Sequence, residues 1–161
     1  MSAYGLAQQL NIEPKIAQAY IDEYFKKVSG VQAYIEKSLE EARQKGYVTT
    51  LLQRRRYLPD IQSPTAAIRQ ASERMAINTP LQGTAADVIK VAMIRIQSRI
   101  EELRLSTKMI MQVHDELVFE VPEEETQKAL PMIQEEMEGV MELSVPLKVS
   151  IQSGKNWAEV H

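Results

Sequence analysis

The chain has 161 residues, 44% hydrophobic and 25% charged, a balance that excludes collagen-like repeats and extended disorder. It has no cysteine, so disulfides and thiolate metal sites are excluded as well. Nineteen Lys and Arg against 22 Asp and Glu leave a formal charge of −3, which supplies no global basic field for nucleic acid or anionic membrane; binding of either kind falls to a local patch.

Apolar runs extend only a few residues, far short of the roughly 20 needed to cross a bilayer. The N-terminal MSAYGLAQQL lacks the basic region, apolar core and cleavage signal of a secretory leader. A cytoplasmic protein with no membrane partner is expected.

From Glu13 to Val28, Ile16, Ala17, Tyr20, Ile21, Tyr24 and Phe25 recur on one helical face, with Pro14 near the start and Gly30 beyond the end. A second helix, Val31 to Lys45, repeats the pattern through Tyr34, Ile35, Leu39 and Ala42, with Gly46 as its cap. From Tyr47 to Leu58 the texture becomes β-branched and aromatic, and Pro59 stops it. A small hairpin carrying Arg54, Arg55 and Arg56 is predicted. Such a run is either a solvated surface or, beside a groove, a grip on phosphates.

Ser63, Pro64 and Thr65 make a break, and helix formers dominate from about Ala66 to Leu105. Pro80 lacks a backbone donor and its ring crowds the preceding turn, so a kink or break is expected between Asn78 and Gly83. Beyond it, Val88, Ile89, Ala92, Met93, Ile96, Ile100 and Leu103 form a stripe to be buried. Met75, Met93 and the remaining methionines suit core filling.

In MIMQVHDELVFEVP, two strand-like runs, Met109 to Val113 and Leu117 to Val121, flank His114, Asp115 and Glu116. A tight turn there projects an imidazole and two adjacent carboxylates from a hairpin end, where oxygen ligands can meet a hard divalent cation. The same pattern also fits a merely polar tip. After Pro122, Glu123, Glu124 and Glu125 suit a helix N-terminus, and a helix to about Met141 buries Leu130, Ile133, Met137, Val140 and Met141. Val145 to Ile151 reads as a strand returning to the hairpin sheet. Together these elements imply an α+β fold, a helical segment followed by a small antiparallel sheet backed by helices.

Five separated strings, MSAYGLAQQLNI, RRRYLPDI, ERMAINTPLQGTAADVIK, MIMQVHDELVFEVP and SGKNW, resemble in order the C-terminal region of family A DNA polymerases, the DNA polymerase I family. The resemblance implies that residues 1–65 are the C-terminal part of a fingers subdomain and residues 66–161 the C-terminal part of a palm. It implies a DNA-directed DNA polymerase adding deoxynucleotides to a primer 3′-hydroxyl with two Mg²⁺ ions. By the same resemblance Asp115 is the principal metal ligand, Glu116 an accessory metal-binding carboxylate, and His114 an orienting residue at the primer terminus. Arg74, Asn78 and Gln82 are assigned to primer–template DNA; their spacing of four suits one helical face. Amide side chains can meet minor-groove acceptors present in every base pair.

The family's other metal-binding Asp and its nucleotide-binding helix lie upstream of the position matching Met1, so Tyr4 is not the family's nucleotide-binding Tyr. A chain of these residues alone is therefore expected to be an inactive part of a polymerase whose partners are primer–template DNA, deoxynucleoside triphosphates and the missing upstream segment. The alternative is a non-catalytic module that binds primer–template or a polymerase partner. Self-association through an unpaired sheet edge is also expected. One departure from the family stands at Leu52-Gln53, where the family pattern has Gly at the second position; Gly adopts positive φ without cost and Gln does not.

Overall fold

Ser2 opens the first helix by accepting the Gly5 N–H on its hydroxyl at 3.1 Å, and left-handed Asn11 closes it. This helix, α1 (Ala3–Leu10), lies outside the periodic segments picked out in the sequence. In the computed structural model, which describes residues 2–160, it is followed by α2 (Pro14–Lys27), α3 (Ser29–Lys45), β1 (Tyr47–Thr49) and β2 (Arg55–Tyr57). Then come α4 (Ala66–Glu102), β3 (Lys108–Val113), β4 (Glu116–Glu120) and α5 (Thr126–Glu138). Met1 and His161, the outer limits of the two regions expected above, lie outside the described residues. Two separate two-stranded antiparallel sheets among helices give an α+β fold. Among the described residues no helix is long and apolar enough to cross a membrane.

The chain forms two compact units. The first comprises residues up to Thr49 together with Gln53–Pro80; the second comprises Thr50–Leu52 and the residues from Leu81 on.

In the first unit, Pro14 starts α2 at a position where its missing N–H costs nothing, and left-handed Gly46 ends α3. Ala42, Val48, Leu58, Ile61 and Ala76 form the buried cluster, with Leu39 and Met75 packed on it. Ala42 and Ala76 are both fully enclosed, so α3 and the first half of α4 meet at small side chains. The apolar face expected on α2 is mostly uncovered. Ala17 is enclosed, but Tyr20 and Tyr24 are 53% and 55% exposed. Helical period identifies a face and not its cover.

Of the kink or break expected between Asn78 and Gly83, the break does not occur: α4 is one helix of 37 residues with Pro80 inside it. A proline in a helix interior costs about 3 kcal/mol, through one lost hydrogen bond and a carbonyl pushed aside. That carbonyl belongs to Ala76; its neighbour, the Ile77 carbonyl, accepts the Tyr34 hydroxyl at 2.9 Å.

In the second unit, Ala92, Ile96 and Ile100 of α4 pack with Ala129, Met132 and Ile133 of α5 and with Val140. The inner face of the β3–β4 hairpin closes on them through Met109, Leu117 and Phe119. Arg95 donates to the Gly139 carbonyl at 2.9 Å, tying α4 to the end of α5. The strand predicted at Val145 to Ile151 is absent, and the hairpin sheet stays two-stranded. Pro146 removes one donor, and the Val149 N–H goes instead to Glu138 Oε1 at 3.0 Å, beside Lys148 at 3.7 Å from the same carboxylate. Those contacts, the Val149 N–H foremost, hold the Glu138 carboxyl below the usual range. The segment is pinned by a side chain rather than by a ladder.

Candidate active site

The hairpin predicted around His114, Asp115 and Glu116 is present, with a shorter tip than expected. Val113 pairs with Glu116, so the loop holds two residues, His114 and Asp115, and Glu116 already belongs to β4. His114 has φ +53°, a left-handed conformation that His tolerates better than most residues. All three side chains are exposed, and the two carboxylates stand on consecutive residues.

The base of this hairpin is anchored. Met109 and Phe119 face each other across the strands and pack on the second unit's core. A register shift between Met109 and Met111 marks a bulge at Ile110, which bends β3 on its way to the tip. At the open end, the Glu125 carboxylate accepts the Ser106 N–H at 2.7 Å, the Thr107 N–H at 2.9 Å and the Thr107 hydroxyl at 2.7 Å. These donors, the Ser106 N–H first, hold the Glu125 carboxyl below the ordinary carboxylate range. A fixed base and an exposed tip present the acids to whatever approaches.

Exposed carboxylate oxygens are the donors that hard cations such as Mg²⁺ take, usually with several water and phosphate oxygens besides. The pair Asp115 and Glu116 fits such an ion in chemistry. Among the described residues no group of three or more His, Cys, Asp or Glu could hold a metal ion, so this pair does not close a coordination shell.

Arg74, Asn78 and Gln82 are exposed and lie on α4, which keeps their four-residue spacing through Pro80. Arg74 and Asn78 fall in the first unit, Gln82 and the His114–Glu116 tip in the second. Gln53 adopts φ +63°. The β1–β2 turn therefore uses the left-handed geometry that suits glycine, in spite of its side chain.

Three features escaped the sequence. Arg55 lies over the Tyr47 ring, 4.9 Å from its centre, and Tyr47 meets Tyr57 edge-on at 5.7 Å, so the arginine run is interleaved with aromatics. Arg56 donates to the Met75 sulfur at 3.2 Å. Gln112 donates from Nε2 to the His114 carbonyl at 3.0 Å. The register Tyr47↔Tyr57 would have revealed the first; no local signal marks the others.

Comparison with known proteins extends over the same elements. A match to DNA polymerase family A covers residues 1–159. The chain is 52% identical over 157 residues to DNA polymerase I of Bacillus caldotenax, covering 98% of this chain and 18% of that protein. It is 48% identical over 157 residues to the thermostable DNA polymerase I of Thermus aquaticus, covering 98% of this chain and 19% of that protein. Among solved structures it resembles the POL domain of Pol1 from M. smegmatis, in complex with DNA primer-template and dNTP, with a TM-score of 0.95 and 45% identity; the likeness covers 99% of this chain and 28% of that one. The chain thus spans less than a fifth of the length of these curated relatives.

Proposed function

Since this chain belongs to DNA polymerase family A, we propose that it forms part of a DNA-directed DNA polymerase that adds deoxynucleotides to a primer 3′-hydroxyl by two-metal-ion transfer. The observation that carries the proposal is the likeness of nearly the whole chain to a polymerase domain solved with primer-template and dNTP. In this reading residues 1–65 belong to the fingers and residues 66–161 to the palm.

Asp115 is the principal metal ligand and Glu116 the accessory one, their adjacent exposed carboxylates offering hard oxygen donors. Bound there, Mg²⁺ would favour the ionised primer hydroxyl and offset charge on the departing pyrophosphate. His114, beside Asp115, orients the primer terminus. Arg74 offers a guanidinium to phosphate oxygens. Asn78 and Gln82 offer amide donors to minor-groove acceptors common to all base pairs, as sequence-independent copying requires. Among the described residues no third such ligand joins the pair; in this reading the chain by itself does not extend a primer.

A segment exchange tests this. The corresponding segment of Bacillus subtilis DNA polymerase I, to which the chain is 50% identical, is replaced by residues 1–161. Extension of a labelled primer–template is measured with Mg²⁺ and four deoxynucleotides. The exchanged enzyme should extend, and Asp115→Ala should cut its rate by about a hundredfold or more. Undiminished extension by that variant would remove Asp115 from the chemistry. Extension by the isolated chain, abolished by Asp115→Ala, would show that these residues complete a site unaided.

A further inference from the structure

The hairpin tip has two central residues, and a turn of that kind can hold its middle peptide in either of two orientations. φ is positive at His114 and not at Asp115. Flipping the His114–Asp115 peptide gives the type I′ alternative, with positive φ at Asp115 as well. Asp is among the few residues that visit that conformation readily, so Asp115 does not itself forbid the flip. Glycine is the residue most at ease with a positive φ, and His114 occupies that place here. Local preference therefore leaves the direction of the Asp115 side chain underdetermined.

Gln112 resolves it. Its Nε2 donates to the carbonyl oxygen of the same middle peptide, that of His114, at 3.0 Å. The flip would carry that oxygen to the other side of the turn and break the bond. The backbone of Gln112 is fixed by its pairing with Leu117, whose side chain packs on the second unit's core, so the donor is held on a rigid strand. We infer that Gln112 is a positioning residue: it sets the orientation of the His114–Asp115 peptide and so aims the Asp115 carboxylate, acting through the backbone. This deepens the polymerase reading above and rests on it for the carboxylate's purpose.

The test separates the two. Backbone ¹⁵N order parameters are measured on the 161-residue chain and on Gln112→Glu, Gln112→Leu and Gln112→Lys. The first keeps length and loses the donor at neutral pH, the second loses polarity, and the third restores a donor. Asp115 should sit near the rigid value of about 0.85 in the original chain and fall below about 0.6 with Glu or Leu. Lys should recover most of the difference, while Leu117 and Phe119 stay unchanged. Equal order at Asp115 in all four proteins would overturn the inference. So would a loss that Lys does not rescue, or one that spreads along both strands.

In parallel, Mn²⁺ is added and paramagnetic broadening is followed at the Asp115 and Glu116 amides. Broadening should be present in the original chain and weaker in Gln112→Glu than in Gln112→Lys, beyond what the added charges account for in an Asp115→Asn background. Absence of broadening in the original chain would count against the metal-binding reading. The order parameters would still decide the role of Gln112.

Discussion

The Tyr34 hydroxyl donates to the Ile77 carbonyl, three residues ahead of Pro80 and inside a helix that runs on through the proline. The bond joins α3 to α4 at the point where the helical ladder is weakest. Tyr34→Phe should destabilise the first unit by about 1 kcal/mol in urea unfolding, the usual net worth of one such bond. Pro80→Ala restores an amide donor to the neighbouring Ala76 carbonyl and relaxes the turn that carries Ile77, so with it the cost of losing the hydroxyl should shrink. A double-mutant cycle should therefore show a coupling of about 0.5 kcal/mol or more; strict additivity would mean that Tyr34 is indifferent to the proline.

Gln53 holds a left-handed backbone that costs a residue with a side chain roughly 1–2 kcal/mol. Gln53→Gly should stabilise the chain by about 0.5–1 kcal/mol, since part of the relief is offset by the greater freedom of an unfolded glycine. Gln53→Val should do the opposite. Chemical denaturation of the three proteins, with unchanged slopes, measures both.

The Glu125 carboxyl is held low by the Ser106 N–H and then by the Thr107 donors, so its native form binds a proton less readily than its unfolded form. The stabilisation is thus fully present above the unfolded carboxyl value of 4.5 and is lost as pH falls through the lower native one. In Glu125→Gln that pH-dependent part is missing. The variant should melt below the original chain at pH 7, and the gap should close as pH falls below 4.5. A gap constant over that range would assign the effect to packing.

Ile96 and Ile94 stand two residues apart on α4, one wholly enclosed and the other 67% exposed. Ile96→Ala leaves a cavity between α4 and α5 and should cost about 2–5 kcal/mol. Ile94→Ala should stay within about 0.5 kcal/mol. Similar losses at both positions would mean that the Ile94 face is covered in solution.

Much of this protein could be read from its sequence because much of it is local. The stripe Ile89, Ala92, Ile96 and Ile100 follows from a period of 3.6, and the end of α3 at Gly46 follows from the freedom of glycine. The runs around His114, Asp115 and Glu116 alternate with a period of two and stop at a polar tip, so the hairpin and its acids were visible before any coordinates. Most of what escaped depends on partners distant in the chain. Pro80 reads as a break, yet the helix survives with Tyr34, 43 residues away, meeting a carbonyl beside it. Val145 to Ile151 has the composition of a strand, yet its Val149 N–H is taken by Glu138 and no ladder forms.

The sequence by itself determined the family, the two hairpins and most of the helices, because short-range sterics, periodicity and motif spacing are properties of neighbouring residues. The tertiary structure alone decided the rest: whether Pro80 breaks its helix, which apolar faces are covered, and where the peptide bearing Asp115 points. The first two depend on partners distant in the chain, whose energy exists only once both halves have met; the last depends on Gln112, two residues from His114, through a side-chain bond that no backbone propensity specifies.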